Sequence, residues 1–201
     1  MTEPDAVASE QVRCSWADGH DAMADYHDTV WGVQQRDNRT LFEFLTLEGA
    51  QAGLSWKTIL LRRQGYIDVF DGFDVEKIAA YSAADAARCI ADARIIRNRA
   101  KVESTIGNAR LWLELDDPVE YIWSFVDGVP IQNRWDGMAQ VPATTDVSER
   151  MSKAMKKVGF RFVGSTICYA YMQACGLVND HVLRCFRHDD CAGLGDSPSQ
   201  R

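Results

Sequence analysis

The sequence contains no apolar run approaching the ~18 residues that a membrane-spanning helix needs. Its opening decapeptide, MTEPDAVASE, has neither the basic start nor the apolar stretch of an export signal. These two absences predict a cytoplasmic location and no membrane partner. GxxxxGK followed by Ser or Thr is missing, as is GxGxxG, so neither a nucleotide-fuelled nor a dinucleotide enzyme is expected, and no nucleotide cofactor. HExxH and paired CxxC motifs are missing too, which argues against a zinc hydrolase or deaminase. No segment alternates apolar and polar residues for long, and no internal repeat is present. Six cysteines in 201 residues are too sparse for a small disulfide scaffold.

What remains describes a globular protein, with 46% hydrophobic and 25% charged residues. A chain of this length buries roughly 70% of its extended surface, enough for one substantial core or two small ones. The formal net charge is −7, and residues 1–48 account for all of it, with ten acids against Arg13, Arg36 and Arg39. A global acidic excess argues only weakly against a nucleic-acid partner, because binding depends on a local basic face.

Helical periodicity dominates from Thr40 onward. Asp37 or Asn38 caps LFEFLTLEGAQA, and Gly53 stops it. Ser55 caps a single helix through WKTILLRRQGYIDVF, weakened in the middle by Gly65. Asp74 precedes VEKIAAY, and Ser82 with Asp85 forms a capping box for AADAARCIADA. A long helix is expected from about Arg97 to Leu115, closed off before Pro118. Residues 127–145 read as a long connection, a length that in a compact domain points to function. Asp146 with Glu149 forms another capping box, and Ser165 or Thr166 opens a last long helix that Gly176 closes. The expected fold is all-α with about eight helices. Residues 1–12 are a loose tail, residues 13–188 a helical domain that can divide into two lobes, and residues 189–201 a second loose tail.

Three residue groups carry chemistry. Cys14 and His27 lie near one end of the chain, and His181 and Cys185 lie four apart near the other. Together they compose a Cys2His2 set suited to a closed, structural zinc site. His20 can replace His27, and His188 with Cys191 forms a rival pair, so the spacing leaves the set open, as it does the alternative of unrelated residues. Cys89, Cys168 and Cys175 sit in apolar stretches and read as core. Second, the face of Leu41, Leu45, Glu48 and Ala52 is otherwise apolar. Glu48 either points inward, where Trp56 two turns on would complete a pocket for a flat cationic or amino-bearing ring, or sits at the face's edge and reaches water. Third, RIIRNRAK carries Arg94, Arg97, Arg99 and Lys101 with no acid, and residues 150–161 are similarly basic, patterns that suit phosphate contact or simply a solvated face.

The segments RCSWA, YHDTVWGV, FEFLTLEGAQAGLSWKTIL, IIRNRAKV, GNARLWL, WSFV, SKAMKKVGFRFVG and TICYAYMQACGLVNDHVLRC occur in this order over roughly residues 13–188. In them the chain resembles the DNA-3-methyladenine glycosylase I family. The resemblance implies a helix-hairpin-helix DNA glycosylase fold with one structural Zn2+ joining the N- and C-terminal segments, its ligands on Cys14, His27, His181 and Cys185. It also implies a base-binding carboxylate at Glu48, a stacking ring at Trp56 and a pocket tyrosine at Tyr26. A DNA-facing hairpin around residues 93–96 would contact the backbone through Arg94, Arg97 and Lys101. The implied activity is monofunctional hydrolysis of the N-glycosidic bond of 3-methyladenine in alkylated double-stranded DNA, by a monomer, leaving an abasic site. The alternative is a non-catalytic, zinc-stabilised module that binds DNA damage or another protein. Two departures stand out: Met23 replaces a second pocket tyrosine, and Arg94 replaces a hairpin glycine, where a positive φ would strain it.

Overall fold

The computed structural model describes residues 11–193, so most of the expected tails, residues 1–10 and 194–201, lie outside the described residues. Eleven α-helices dominate those residues: α1 Asp21–Thr29, α2 Asn38–Gln51, α3 Trp56–Leu60, α4 Arg63–Val69, α5 Val75–Ala79, α6 Ala83–Ala91, α7 Arg99–Leu113, α8 Pro118–Trp123, α9 Asp146–Val158, α10 Ser165–Ala174 and α11 Arg187–Gly193. Two-residue strands, β1 Ile131–Gln132 and β2 Val178–Asn179, pair in parallel, with Ile131 opposite Val178. None of the described helices is long and apolar enough to cross a membrane.

Side-chain caps set most of the helix starts. Asp37 accepts from Thr40 N, Ser55 from Thr58 N, Asp74 from Lys77 N, and Ser82 forms its box with Asp85. The capping box of α9 differs from expectation, because Thr145 and Ser148 make it, one residue ahead of Asp146 and Glu149. Pro118 opens α8 at its first turn, where a missing N–H costs nothing, with Asp117 as cap. The chain after residue 189 also differs: α11 runs to Gly193 and buries Cys191, where a loose tail was expected.

Helix α2 is the axis of the fold. All ten residues from Leu41 to Ala50 are buried, since α3, α7, α8 and α10 pack around it. A helix covered on every side gives a carboxylate no edge from which to reach water, which decides between the two readings of Glu48. The expected single helix after Ser55 is broken into α3 and α4 at Leu61–Arg62. Gly65 in α4 has a specific reason: a Cβ there would stand 2.7 Å from both the Cβ and the carbonyl oxygen of Arg94. This close approach docks the α6–α7 turn on α4, where Tyr66 Oη accepts from Ile96 N at 3.3 Å.

Candidate active site and metal centre

Helices α1, α2, α3 and α10 line an open cavity of about 220 Å³. Its walls are largely aromatic: Trp16 from a 3-10 turn, Tyr26 on α1, Trp31 just beyond α1, and Trp56, the first residue of α3. The Tyr26 and Trp56 rings lie 5.1 Å apart between centroids at 46°, and Trp16 meets Trp31 edge-on at 5.0 Å. Met23 and Met138 add thioethers, and Glu48, Gln51 and Gln173 supply the polar groups.

Helix α2 carries two buried carboxylates with opposite circumstances. Glu43 accepts from Arg63 Nε at 2.6 Å. Glu48, 3% exposed, has an Oε2 with no hydrogen-bond partner. Burial without compensation pushes its carboxyl up to about 8. Tyr26 Oη and Trp56 Nε1 are likewise buried and unpartnered. Burial, and then the neighbouring Glu48 charge, holds the Tyr26 phenol well above its usual range. Buried polar atoms are almost always hydrogen-bonded, so three orphans, all on residues lining one slot, mark a place built for a ligand with polar edges.

Cys14, His27, His181 and Cys185 form one buried cluster, their ligand atoms all within 4.8 Å of one another. Cys185 Sγ lies 3.4 Å from His27 Nε2 and 3.5 Å from His181 Nδ1, and Cys14 Sγ lies 3.7 Å from His181 Nδ1. The outward ring nitrogens are anchored: His27 Nδ1 to Asp28 at 2.8 Å, and His181 Nε2 to the Trp31 carbonyl at 3.1 Å. Asp28 is held in turn by Arg13. This arrangement fixes which nitrogen of each ring faces the centre, as outer-shell partners do around metals. Each thiol perturbs the other most, holding Cys185 well below the usual thiol range and Cys14 well above it. The cluster is able to hold a metal ion.

The rivals have other tasks. His20 Nδ1 accepts from Ala22 N as the cap of α1, while buried His188 bridges Asp189 and the Asn133 carbonyl. Of the pocket candidates, Glu48, Trp56, Tyr26 and Met23 share one cavity. The basic candidates lie elsewhere. Arg94 is exposed and paired with Asp92 and Asp68, and its φ is not positive, so the expected backbone strain is not there. Lys101 turns inward and donates to the carbonyls of Ala50 and Ala52, closing the C-terminus of α2. Arg97 stands exposed. Sequence reasoning missed Trp16, Trp31, Gln51, Met138, Ala170 and Gln173. Trp16 and Trp31 lie two and four residues beyond Cys14 and His27, a spacing that would have found them once the metal cluster was in hand. Met138 arrives from the long connection and had no such signal.

The family model for methyladenine glycosylase matches residues 16–188. DNA-3-methyladenine glycosylase 1 of Escherichia coli (strain K12) is 45% identical over 190 residues, covering 92% of this chain and 99% of that protein. A crystal structure of 3-methyladenine DNA glycosylase I aligns with a TM-score of 0.86 at 45% identity, covering 88% of this chain and 100% of that one. A variant of 3-methyladenine DNA glycosylase I solved in complex with 3-methyladenine aligns at a TM-score of 0.83 and 30% identity, over 87% of this chain and 96% of that one. With the family model spanning most of the sequence, and backbone and aromatic slot alike in keeping with it, this chain belongs to the methyladenine glycosylase family.

Proposed function

We propose that this chain is a monofunctional DNA glycosylase that hydrolyses the N-glycosidic bond of 3-methyladenine in alkylated double-stranded DNA, leaving an abasic site. The observation that carries this reading is the unpartnered Glu48 carboxyl at the bottom of an aromatic slot. In the empty slot the neutral acid is favoured, so a neutral purine finds no charge complement. A base made cationic by methylation at N3 supplies the one partner that makes an ionised, buried carboxylate favourable. Glu48 therefore acts in recognition, accepting hydrogen bonds from the amino edge of the extruded adenine. Trp56 stacks on the ring, an interaction worth about 1–3 kcal/mol per base. Tyr26 offers its hydroxyl to the polar edge. The positive charge that N3 methylation puts on the base itself weakens the glycosidic bond, so the pocket selects a base that is already a good leaving group.

DNA approaches, in this reading, through the helix-hairpin-helix formed by α6, residues 92–98 and α7. Docking of the turn on Gly65 and Tyr66 keeps it rigid, and exposed Arg97 and Arg94 border it. Lys101 contributes by fixing the end of α2, close to Glu48, instead of by touching phosphate.

The Cys14, His27, His181 and Cys185 set suits one Zn2+. Tetrahedral zinc with Zn–S near 2.3 Å and Zn–N near 2.0–2.1 Å would set S···N edges of about 3.6 Å, and three of the four such separations are 3.4 to 3.7 Å. Four protein ligands would leave no place for water, so an ion held there would staple the two ends of the chain and take no part in hydrolysis.

The test is release of free base from methylated duplex DNA. Wild-type protein should liberate 3-methyladenine, and Glu48→Gln should lose about 100-fold or more in excision with unchanged affinity for unmodified DNA. Full excision by that variant would end the assignment of Glu48, and no release by the wild type would end the glycosylase reading.

A further inference from the structure

The acceptor character of the slot extends beyond Glu48. Gln173, half-buried on α10, lines the cavity and donates its Nε2 to Asp180 Oδ2 at 2.7 Å. Asp180 is 1% exposed, and both of its oxygens are doubly engaged. Oδ2 also accepts from Tyr169 Oη at 2.6 Å, one turn before Gln173 on the same face of α10. Oδ1 accepts from Asn133 Nδ2 and Trp135 Nε1, each at 2.7 Å, from the connection that carries Met138 over the slot. A carboxylate so surrounded by donors has none to offer in return. The amide of Gln173 can satisfy it only with its NH2 group, and rotation about χ3 would set oxygen against oxygen. Among the described residues Oε1 has no side-chain or backbone partner, and it is not sealed away. It is the polar atom of Gln173 left without a protein partner, on a residue that lines the cavity.

We propose that Gln173 is a specificity-determining residue of this pocket and Asp180 its positioning residue. Together they keep a carbonyl oxygen turned to the cavity, so the slot presents two acceptors, Glu48 Oε2 and Gln173 Oε1. It thereby favours purines whose edge carries an amino group over those that carry an oxo group there. This proposal rests on the glycosylase reading and deepens it. A pocket built to hydrogen-bond a donor discriminates against an analogue that lacks it far more than shape alone does, because its buried acceptors are left unpaired.

The experiment compares kcat/KM for release of 3-methyladenine, with its amino group at C6, and of 3-methylguanine, with an oxo group there, from methylated duplex DNA. Gln173→Leu, which removes the acceptor, should lower the 3-methyladenine to 3-methylguanine ratio about tenfold or more. Asp180→Asn frees the Gln173 amide to turn its NH2 inward and should move the ratio in the same direction. Thermal melts accompany both variants, and should Asp180→Asn fail to fold, Gln173→Leu decides the outcome. Equal losses on both bases, or an unchanged ratio in folded Gln173→Leu, would overturn the proposal while leaving wild-type excision, and with it the glycosylase reading, intact. Absence of 3-methyladenine release by the wild type would instead overturn the reading beneath it.

Discussion

Glu48 should make the protein less stable as pH rises, and Glu48→Gln should reverse this. Its folded carboxyl sits at about 8 against an ordinary 4.5, with burial as the cause. Between those two values the folded state holds a proton that the unfolded chain has released, so stability falls as pH increases through this window. At pH 5 the penalty is below ~1 kcal/mol, at pH 7 about 3 kcal/mol, and by pH 9, where the folded group also ionises, about 5 kcal/mol. Glutamine keeps the shape and a similar burden of buried polar atoms but cannot ionise. Glu48→Gln should therefore match the parent near pH 4.5 and exceed it by about 3 kcal/mol at pH 7, a rise of roughly 6–12 °C in Tm for a chain of this size. Guanidinium denaturation of both proteins at pH 5, 7 and 9, each pair in the same buffer, isolates the difference from everything else that titrates. A variant no more stable than the parent at pH 7, or a difference that does not grow from pH 5 to 9, would show that Glu48 is solvated or paired in the free protein and would refute the argument from its burial.

Other outcomes follow from the same geometry. Zinc analysis of the purified protein should give close to one equivalent, and Cys185→Ala should lose both the metal and a cooperative melt; retention of both would reject the ligand set. Lys101→Met should cost about 1–3 kcal/mol in urea titrations by leaving the Ala50 and Ala52 carbonyls without their donor, with no change in the salt dependence of DNA binding. Arg97→Ala should leave stability alone and reduce the slope of log K against log salt by about 0.9. Reversed results would return Lys101 to the phosphate contacts. Gly176→Ala should lose at least ~2 kcal/mol, because φ there is +70° and a Cβ would lie 2.5 Å from the Val33 carbonyl carbon. A neutral melt would show that the chain at residues 33–34 yields.

The helices were legible because their caps are side chains adjacent in sequence: Asp37, Ser55, Asp74 and Ser82 each act within three residues. The break between α3 and α4 was not legible, since WKTILLRRQGYIDVF has no strong stop at Leu61–Arg62. Glu48 was undecided by pattern for a related reason. Periodicity finds one apolar stripe, whereas α2 is enclosed on all sides, and enclosure is a property of its neighbours. The spacing could not choose among the histidines either; only the meeting of the two ends of the chain separates His27 from His20, and His181 from His188. The inward turn of Lys101 was not legible, because a basic segment says nothing about which cations close another helix. Gln173 was invisible for want of its partner: an amide acquires a direction only once Asp180 is placed beneath it.

The Cys2His2 cluster and the aromatic slot share a wall. Trp16 follows Cys14 by two residues, Tyr26 precedes His27, and the Trp31 carbonyl accepts from His181. Three of the four rings that shape the slot are thus tethered to the cluster through a peptide link or a single hydrogen bond. Two segments 150 residues or more apart in sequence border a gap that must admit one flat heterocycle. If that cluster holds its proposed Zn2+, removing the ion would loosen the rings and the fold together, so excision of damaged bases should fall in step with the cooperative melt.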